Sequence, residues 1–244
     1  PTPTPPLPIA GSNDLQNPNR MNPKKSLGLF AYRASESYND WRLGIQTKGL
    51  VVPADFGADG EGCHAYLALS YKSLRRVLGD VSVQPDKDVF IDYGSGLGRI
   101  VAVAASMPYR KVIGVELSKG LHDVAVSNMK NAAPKLRCKD IELHNIDARA
   151  YAVPHDASVI FFFMPFNADI LTVVLNNILR SVQASPRKVT ILYAHPKGGV
   201  TLHHVLPKLP WLKLQSDNHI GSNRRVVVAT IDPSGTPNVA HSAT

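Results

Sequence analysis

A glycine-rich turn follows a short apolar run near the middle of the chain. Residues 89–91 read VFI, residues 92–99 read DYGSGLGR, and an alanine- and valine-rich segment extends to residue 106. Glycine permits positive φ and lets a ligand approach the backbone without meeting a Cβ atom. A helix that begins after such a turn offers unpaired N–H groups to an anionic group. The pattern predicts a buried strand, a tight turn and a helix that together form a nucleotide-type binding site.

Strand and helix signals alternate along the rest of the chain. Apolar runs predict five strands, at residues 89–93, 111–117, 140–144, 158–163 and 188–193. Helical patterns or caps predict helices at residues 65–78, 97–106, 118–131 and 168–182. This alternation is typical of a parallel sheet covered by helices on both faces. Two consecutive strands, at 211–215 and 224–231, predict an antiparallel hairpin at one edge. We therefore predict an α/β fold with a Rossmann-like, doubly wound, mostly parallel sheet.

The ends of the chain differ in composition from its centre. Residues 1–25 are proline-rich or polar without a period, and residues 232–244 are similar, so we expect a flexible arm and a flexible tail. Residues 26–231 form the predicted catalytic domain. The longest apolar runs are too short to cross a bilayer, and no secretory leader is visible. A cytoplasmic location and no membrane partner are expected, although a chain that starts at Pro1 leaves room for a trimmed leader.

Charge and metal-ligand chemistry narrow the function further. Lys and Arg number 27 against 19 for Asp and Glu, a net charge of +8, but the basic residues are scattered in short pairs. Solvated charge is therefore favoured over a nucleic-acid surface. Cys63 and Cys138 form neither a disulfide framework nor a metal-ligand set. The pair His203-His204 lacks a third ligand at suitable spacing, so no metal is predicted.

Three acidic residues sharpen the interpretation of the glycine turn. The spacing is G-x-G-x-G, whereas dinucleotide sites favour G-x-G-x-x-G. Asp92 precedes the turn, where it would repel a pyrophosphate but suits a ligand that carries an ammonium group. Glu116 ends the second predicted strand, where a carboxylate can accept both ribose hydroxyls. Asp147 follows the third strand and is placed to accept from an adenine amino group. A nicotinamide-binding oxidoreductase and a turn without ligand remain the alternatives.

Four motifs in order resemble those of class I S-adenosylmethionine-dependent methyltransferases: residues 92–98 (DYGSGLG), 112–117 (VIGVEL), 145–148 (NIDA) and 159–166 (VIFFFMPF). The resemblance covers residues 64–231 and implies S-adenosylmethionine as cofactor. The subgroup that it resembles contains small bacterial methyltransferases of undefined substrate. The turn and the second strand are also similar, more loosely, to the non-SET methyltransferases of nucleosomal lysine.

The resemblance implies a role for each matched position. The methionine moiety would be lined by Gly94, Ser95, Gly96 and Gly98, with Asp92 near its ammonium group. Glu116 would hold the ribose and Asp147 the adenine, with Leu117 and Ala148 flanking the adenine ring.

The acceptor side departs from a common pattern. Family members that methylate nitrogen often carry Asn or Asp, two prolines and an aromatic residue after the fourth strand, where this chain has Met164-Pro165-Phe166. A thioether is a poor hydrogen-bond acceptor for an amine. We therefore favour a small-molecule acceptor with oxygen as the methylated atom. A protein lysine, or cofactor binding without turnover, is the alternative.

Several residues are candidates for the acceptor pocket and for catalysis. Tyr71, Phe163, Met164 and Phe166 are the candidate pocket residues. His195 follows the fifth strand and is the candidate general base, with an ordinary loop histidine as the alternative. His64 and Tyr71 could reach the cofactor from the helix before the first strand, although packing is the simpler role for Tyr71.

Overall fold

The computed structural model describes residues 23–47, 68–197, 202–221 and 223–233. The helices in these ranges are α1 (Pro23–Leu43), α2 (Tyr71–Gly79), α3 (Arg99–Ala105), α4 (Lys119–Ala132), α5 (Ala168–Ala184) and α6 (Leu202–Val205). The strands are β1 (Val89–Tyr93), β2 (Lys111–Glu116), β3 (Asp140–Asn145), β4 (Ala157–Phe163), β5 (Val189–Pro196), β6 (Leu212–Gly221) and β7 (Arg224–Ile231).

The seven strands form one sheet in the order β3-β2-β1-β4-β5-β7-β6. The strands β1 to β5 pair in parallel with one another, and β7 runs antiparallel between β5 and β6. The predicted doubly wound sheet with an antiparallel hairpin at one edge is confirmed. The chain order reverses at β1 and β4, so the carboxyl ends of these two strands border the crevice in which such sheets bind ligands.

Both faces of the sheet are covered, which explains why its central strands are continuously apolar. Helices α5 and α6 pack on one face, and α2, α3 and α4 pack on the other. Side chains alternate between the faces along a strand. On β1, Ile91 and Tyr93 therefore belong to the core under α5, whereas Phe90 belongs to the core under α3. A strand that is buried on both faces reads as an unbroken hydrophobic run.

The first helix was not predicted from the sequence. It begins at Pro23, inside the segment predicted as a flexible arm, and proline is favoured in the first turn of a helix. The rest of the predicted arm, residues 1–22, and the predicted tail from residue 234 lie outside the described ranges. A helix is normally recognised by an apolar face, but α1 turns Glu36, Asn39 and Asp40 towards the core. Because its buried face is largely polar, a search for an apolar helix face does not detect α1.

Element boundaries differ from the predicted ones at two informative positions. Residues 68–70 are not helical, and the Ser70 side chain accepts a hydrogen bond from the Ser73 backbone N–H at the start of α2. The start predicted at residue 65 is therefore too early, while residues 65–67 lie outside the described ranges. Strand β5 extends to Pro196, so His195 belongs to a strand and not to a loop. Within the described part of the chain, no helix combines the length and apolarity needed to span a membrane.

Candidate cofactor and acceptor site

A pocket opens at the carboxyl ends of β1, β2 and β4, where the strand order reverses. Nine of the fourteen residues predicted for the site line it: Gly94, Ser95, Gly96, Glu116, Leu117, Ala148, Phe163, Met164 and Phe166. The other five do not line it: Tyr71, Asp92, Gly98, Asp147 and His195. The pocket therefore joins the glycine turn to the end of β4, as the order of the motifs predicts.

The glycine turn is tied to β2 by its own backbone. The N–H groups of Gly94 and Ser95 both donate to the Val115 carbonyl oxygen, at 2.8 and 3.1 Å. Gly94 has a φ of +75°, and a Cβ atom at this position would lie 2.5 Å from the Cβ of Pro165. Only glycine combines this positive φ with the close approach to Pro165, because any side chain would collide with the segment after β4. Gly94 thus brings the cofactor turn into contact with the acceptor side of the pocket.

Gly98 is a structural glycine at the start of α3. Its φ is +81°, and an added Cβ would lie 3.2 Å from the Cβ of Ala125 and 3.3 Å from the Cε of Met129. These neighbours belong to α4, so Gly98 allows α3 and α4 to pack closely behind the turn. The contact between Gly98 and the methionine moiety that the resemblance implies stays a prediction, because Gly98 packs against α4 and does not line the pocket.

Glu116 is buried and lies at the end of β2, as predicted. Its Oε2 accepts from the Gly96 N–H and its Oε1 accepts from the Ser118 N–H, both at 2.8 Å. Burial raises the pKa of this carboxyl above its ordinary value, while the backbone N–H donors oppose that shift. A carboxylate has about four lone-pair sites. The two bonds fix its orientation and leave acceptor capacity towards the pocket.

Asp92 is a buried carboxyl group with no hydrogen-bond donor among the described residues. Its side chain has 0% exposure, and neither carboxylate oxygen finds a hydrogen-bond partner within the described part of the chain. Burial raises its pKa well above the ordinary value, and the negative charge of Glu116 adds to the effect. A buried charge without a partner is costly. A cationic ligand group nearby would relieve that cost, which is the property predicted for this position.

The adenine side of the predicted site is mainly apolar. Leu117, Ile146 and Ala148 line it, and sequence reasoning missed Ile146. Asp147 lies beside them but does not line the pocket. Its carboxylate accepts from Arg149 Nε at 3.0 Å and from Arg149 Nη2 at 2.5 Å, and these hydrogen bonds lower its pKa. A contact between Asp147 and adenine stays a prediction. It would require the Asp147 side chain to turn away from Arg149.

The acceptor side is built from the last residue of β4 and the residues that follow it. Phe163, Met164 and Phe166 line the pocket, and the Phe166 ring packs edge-on against Phe162 at 6.3 Å between centroids. Met164 has a φ of +41°, a conformation that costs a residue with a Cβ roughly 1–2 kcal/mol. Strained backbone of this kind is found preferentially at functional sites. The end of β4 is therefore both apolar and conformationally constrained.

Tyr71 takes the packing role and does not reach the pocket. It is 1% exposed, and its hydroxyl donates to Asp40 Oδ1 at 2.5 Å. The Arg99 guanidinium lies 4.5 Å from the centre of its ring. The predicted place of Tyr71 in the acceptor pocket does not agree with this geometry, because the side chain turns towards α1.

Arg99 is a charged pocket residue that sequence reasoning missed. It is buried, lines the pocket and forms ion pairs with Glu36 and Asp40 of α1. Its Nε donates to Thr47 Oγ1 at 2.7 Å, and its Nη1 donates to the Leu69 carbonyl oxygen at 3.1 Å. The guanidinium is thus saturated by the protein. Its position directly after the turn was visible in the sequence, but its partners lie 30 to 63 residues earlier.

His195 is buried on β5 and does not line the pocket. Its Nδ1 lies 2.8 Å from the Pro196 carbonyl oxygen, and its Nε2 has no hydrogen-bond partner in the described ranges. A role as general base stays a prediction, while His64 lies outside the described residues. Among the residues that the structure describes, no three His, Cys, Asp or Glu side chains form a metal-binding group.

Several solved structures with a similar fold are methyltransferases. An S-adenosylmethionine-dependent methyltransferase from Aquifex aeolicus is 15% identical, with a TM-score of 0.52 over 65% of this chain and 89% of that one. An RNA methyltransferase from Salinibacter ruber in complex with S-adenosyl-L-homocysteine is 19% identical, with a TM-score of 0.51 over 70% and 97%. A TehB-like methyltransferase from Corynebacterium glutamicum is 18% identical, with a TM-score of 0.50 over 85% and 98%.

The chain has the fold of a class I S-adenosylmethionine-dependent methyltransferase. Within this methyltransferase fold, residues 62–154 match the family described as histone methylation protein DOT1. The match includes β1, β2 and β3 and ends before β4, so it covers the glycine turn and Glu116 but not residues 163–166. No curated protein gives a significant match to the sequence.

Proposed function

We propose that this protein transfers a methyl group from S-adenosylmethionine to a small-molecule acceptor, with oxygen as the methylated atom. The observation that carries the proposal is the arrangement around Glu116. Its buried carboxylate is oriented by the N–H groups of Gly96 and Ser118 at the mouth of the pocket. A second buried carboxylate, Asp92, lies close enough for the two charges to interact. This combination suits a ligand that has adjacent hydroxyls and a cationic group.

The residues fit the cofactor group by group. Glu116 would accept the ribose hydroxyls, and Asp92 would balance the positive end of the methionine moiety near Gly94 and Gly96. The apolar residues Leu117, Ile146 and Ala148 would enclose the adenine ring. When bound, the cofactor supplies a methyl group that is activated by a sulfonium. Burial of two carboxylates is unfavourable in a protein without such a ligand, and the proposed binding explains why the chain retains both.

The protein would promote the reaction chiefly by positioning. Holding the acceptor atom in line with the methyl group converts a bimolecular step into an effectively unimolecular one. Phe163, Met164 and Phe166 form an apolar wall that can hold an acceptor by shape. A general base is needed only when the acceptor must lose a proton, and His195, the candidate base, does not line the pocket. A hydroxyl acceptor of low pKa is therefore the kind that this site suits best.

Methylation of a protein lysine is the second candidate, and the DOT1 match over residues 62–154 favours it. Phe163, Met164 and Phe166 could form a narrow apolar channel for a lysine side chain. However, the match ends before these three residues, so the likeness concerns the part of the domain that would hold the cofactor and not the acceptor side.

A comparison of acceptors tests the proposal. We expect release of S-adenosylhomocysteine with phenols and hydroxy acids, and not with histones, nucleosomes or lysine peptides. Met164→Ala and Phe166→Ala should raise the KM of the acceptor, with Phe166→Ala the more severe, while cofactor affinity stays within about threefold. Turnover on lysine alone would favour the second candidate. Cofactor binding without turnover on any acceptor would point to a binding protein.

A further inference from the structure

Arg224 lies beside the acceptor end of the pocket, behind Phe163, and does not itself line it. It is the first residue of β7 and pairs with Pro196, the last residue of β5, so it lies at the same edge of the sheet as the end of β4. The central carbon of its guanidinium lies 5.5 Å from the centre of the Phe163 ring. Phe163 in turn lines the pocket. One aromatic ring therefore separates this cation from the space that the acceptor would occupy.

The guanidinium of Arg224 has no hydrogen-bonded or ion-paired partner within the described part of the chain, although its side chain is half-buried. Burial lowers its pKa below the ordinary value of an arginine. Its neighbour Arg225 behaves differently: Nε donates to Asp217 Oδ1 at 2.8 Å and Nη2 donates to the Asp217 carbonyl oxygen at 3.2 Å. Of these two adjacent arginines, Arg225 is paired within the described part of the chain and Arg224 is not.

The charges around Arg224 do not supply the missing partner. Glu36 and Tyr32 of α1 and the guanidinium of Arg99 all act on it electrostatically. Glu36 is the only carboxylate among them, and its oxygens accept from the Tyr71 N–H at 3.2 Å and from Arg99. Tyr32 is not a carboxylate, and Arg99 is a second guanidinium that repels Arg224. A half-buried guanidinium that contacts an aromatic ring, and whose N–H groups bind no acceptor among the described residues, is suited to binding an anion.

We propose that Arg224 binds an anionic group of the methyl acceptor, which makes the acceptor a small carboxylate or phosphate ester with an apolar body. The inference rests on the proposed function. Arginine presents a planar fork of donors that matches a carboxylate or a phosphate in two parallel hydrogen bonds. Phe163, Met164 and Phe166 contact the apolar body, while the anion pairs with Arg224 beside Phe163. This division of the site fixes which end of the acceptor faces the methyl group.

Binding of simple probes to the protein loaded with S-adenosylhomocysteine tests the inference. Benzoate and phenyl phosphate are compared with benzamide, an uncharged analogue of benzoate, by titration calorimetry or by ligand-observed NMR. We expect at least one of the two anions to bind tenfold or more tightly than benzamide. The stronger of the two identifies the anion as carboxylate or phosphate. Equal affinity for the anions and for benzamide would overturn the inference.

Variants of the two arginines provide the matched control. Arg224→Met keeps the length and apolar contact of the side chain, and it should abolish the preference for the anion. Arg225→Met should preserve it, because Arg225 is already paired with Asp217. The melting temperature of Arg224→Met should fall by no more than a few degrees, since the variant loses the contact with the Phe163 ring but no hydrogen bond or ion pair among the described residues. Preference that survives in Arg224→Met, or that is lost equally in Arg225→Met, contradicts the inference. Failure to bind S-adenosylhomocysteine at all would instead contradict the proposed function.

Discussion

At the scale of single residues, Glu116 and Asp92 are both buried carboxylates at the ends of neighbouring strands. Glu116 has two backbone donors, whereas Asp92 has no donor in the described part of the chain. The first is therefore preorganised by the protein, and the second depends on a ligand. Both positions follow from the sequence, because strand ends can be read from the hydrophobic pattern. The difference in their hydrogen bonding depends on how the turn folds back onto β2.

Glu116→Ala should weaken binding of S-adenosylhomocysteine by at least tenfold. Hydrogen bonds to a charged group contribute about 1.5–3 kcal/mol each, so loss of one ribose contact is enough for this effect. Titration calorimetry measures the affinity, and circular dichroism checks that the fold is retained. Glu142→Ala is the control, because Glu142 lies on β3 and pairs with Lys111 Nζ at 2.7 Å, away from the pocket. An unchanged affinity in Glu116→Ala would limit Glu116 to fixing the glycine turn.

Other residues show where the sequence alone is insufficient. Asp147 and Tyr71 both follow from the order of the motifs as site residues, but their side chains are held by Arg149 and Asp40. A strand end or a helix position fixes the location of a Cα atom only approximately, and it does not fix the direction of the side chain. Competing hydrogen-bond partners decide that direction, and those partners are distant in sequence or unremarkable in composition.

At the scale of elements, α1 has its polar and apolar faces reversed. Leu27, Phe30, Tyr38 and Trp41 are exposed on one side of the helix, whereas Glu36 and Asp40 are buried on the other. The buried side is held chiefly by ion pairs to Arg99, with Leu43 at the end of the helix as a buried apolar residue. Because Arg99 also lines the pocket, the helix supports the site through a polar network. A hydrophobic pattern cannot reveal a helix of this kind.

A pair of substitutions in α1 tests this interpretation. Asp40→Ala removes the acceptor of the Tyr71 hydroxyl and of the Thr47 N–H, and a partner of Arg99. Breaking a buried charge network by removing one member costs about 3–5 kcal/mol, and urea denaturation should show a loss of that order. Trp41→Ser, one residue further along, changes a side chain that is 74% exposed and should alter stability by less than about 0.5 kcal/mol. Similar losses in both variants would mean that α1 is held by its apolar face.

At the scale of the whole molecule, the mostly parallel sheet with its antiparallel edge pair could be predicted from strand–helix alternation. The location of the pocket could be predicted from the rule that such sheets bind ligands at the carboxyl ends of their strands. The order of the strands could not be predicted from these patterns. The acceptor side could be predicted only in part. Phe163, Met164 and Phe166 are placed by the end of β4, but Arg224 comes from the antiparallel hairpin and Arg99 is oriented by α1. These contacts join segments far apart in sequence, and no local pattern encodes them.

The most direct test of the central claim is a thermal-shift measurement with S-adenosylmethionine, S-adenosylhomocysteine and NAD. A ligand that binds only the folded state stabilises it by about 2.7 kcal/mol at a hundredfold excess over its dissociation constant. For a domain of this size that corresponds to a rise of roughly 5–10 °C in melting temperature. We expect this rise with both S-adenosyl compounds and no change with NAD. A response to NAD alone would contradict the assignment of the pocket.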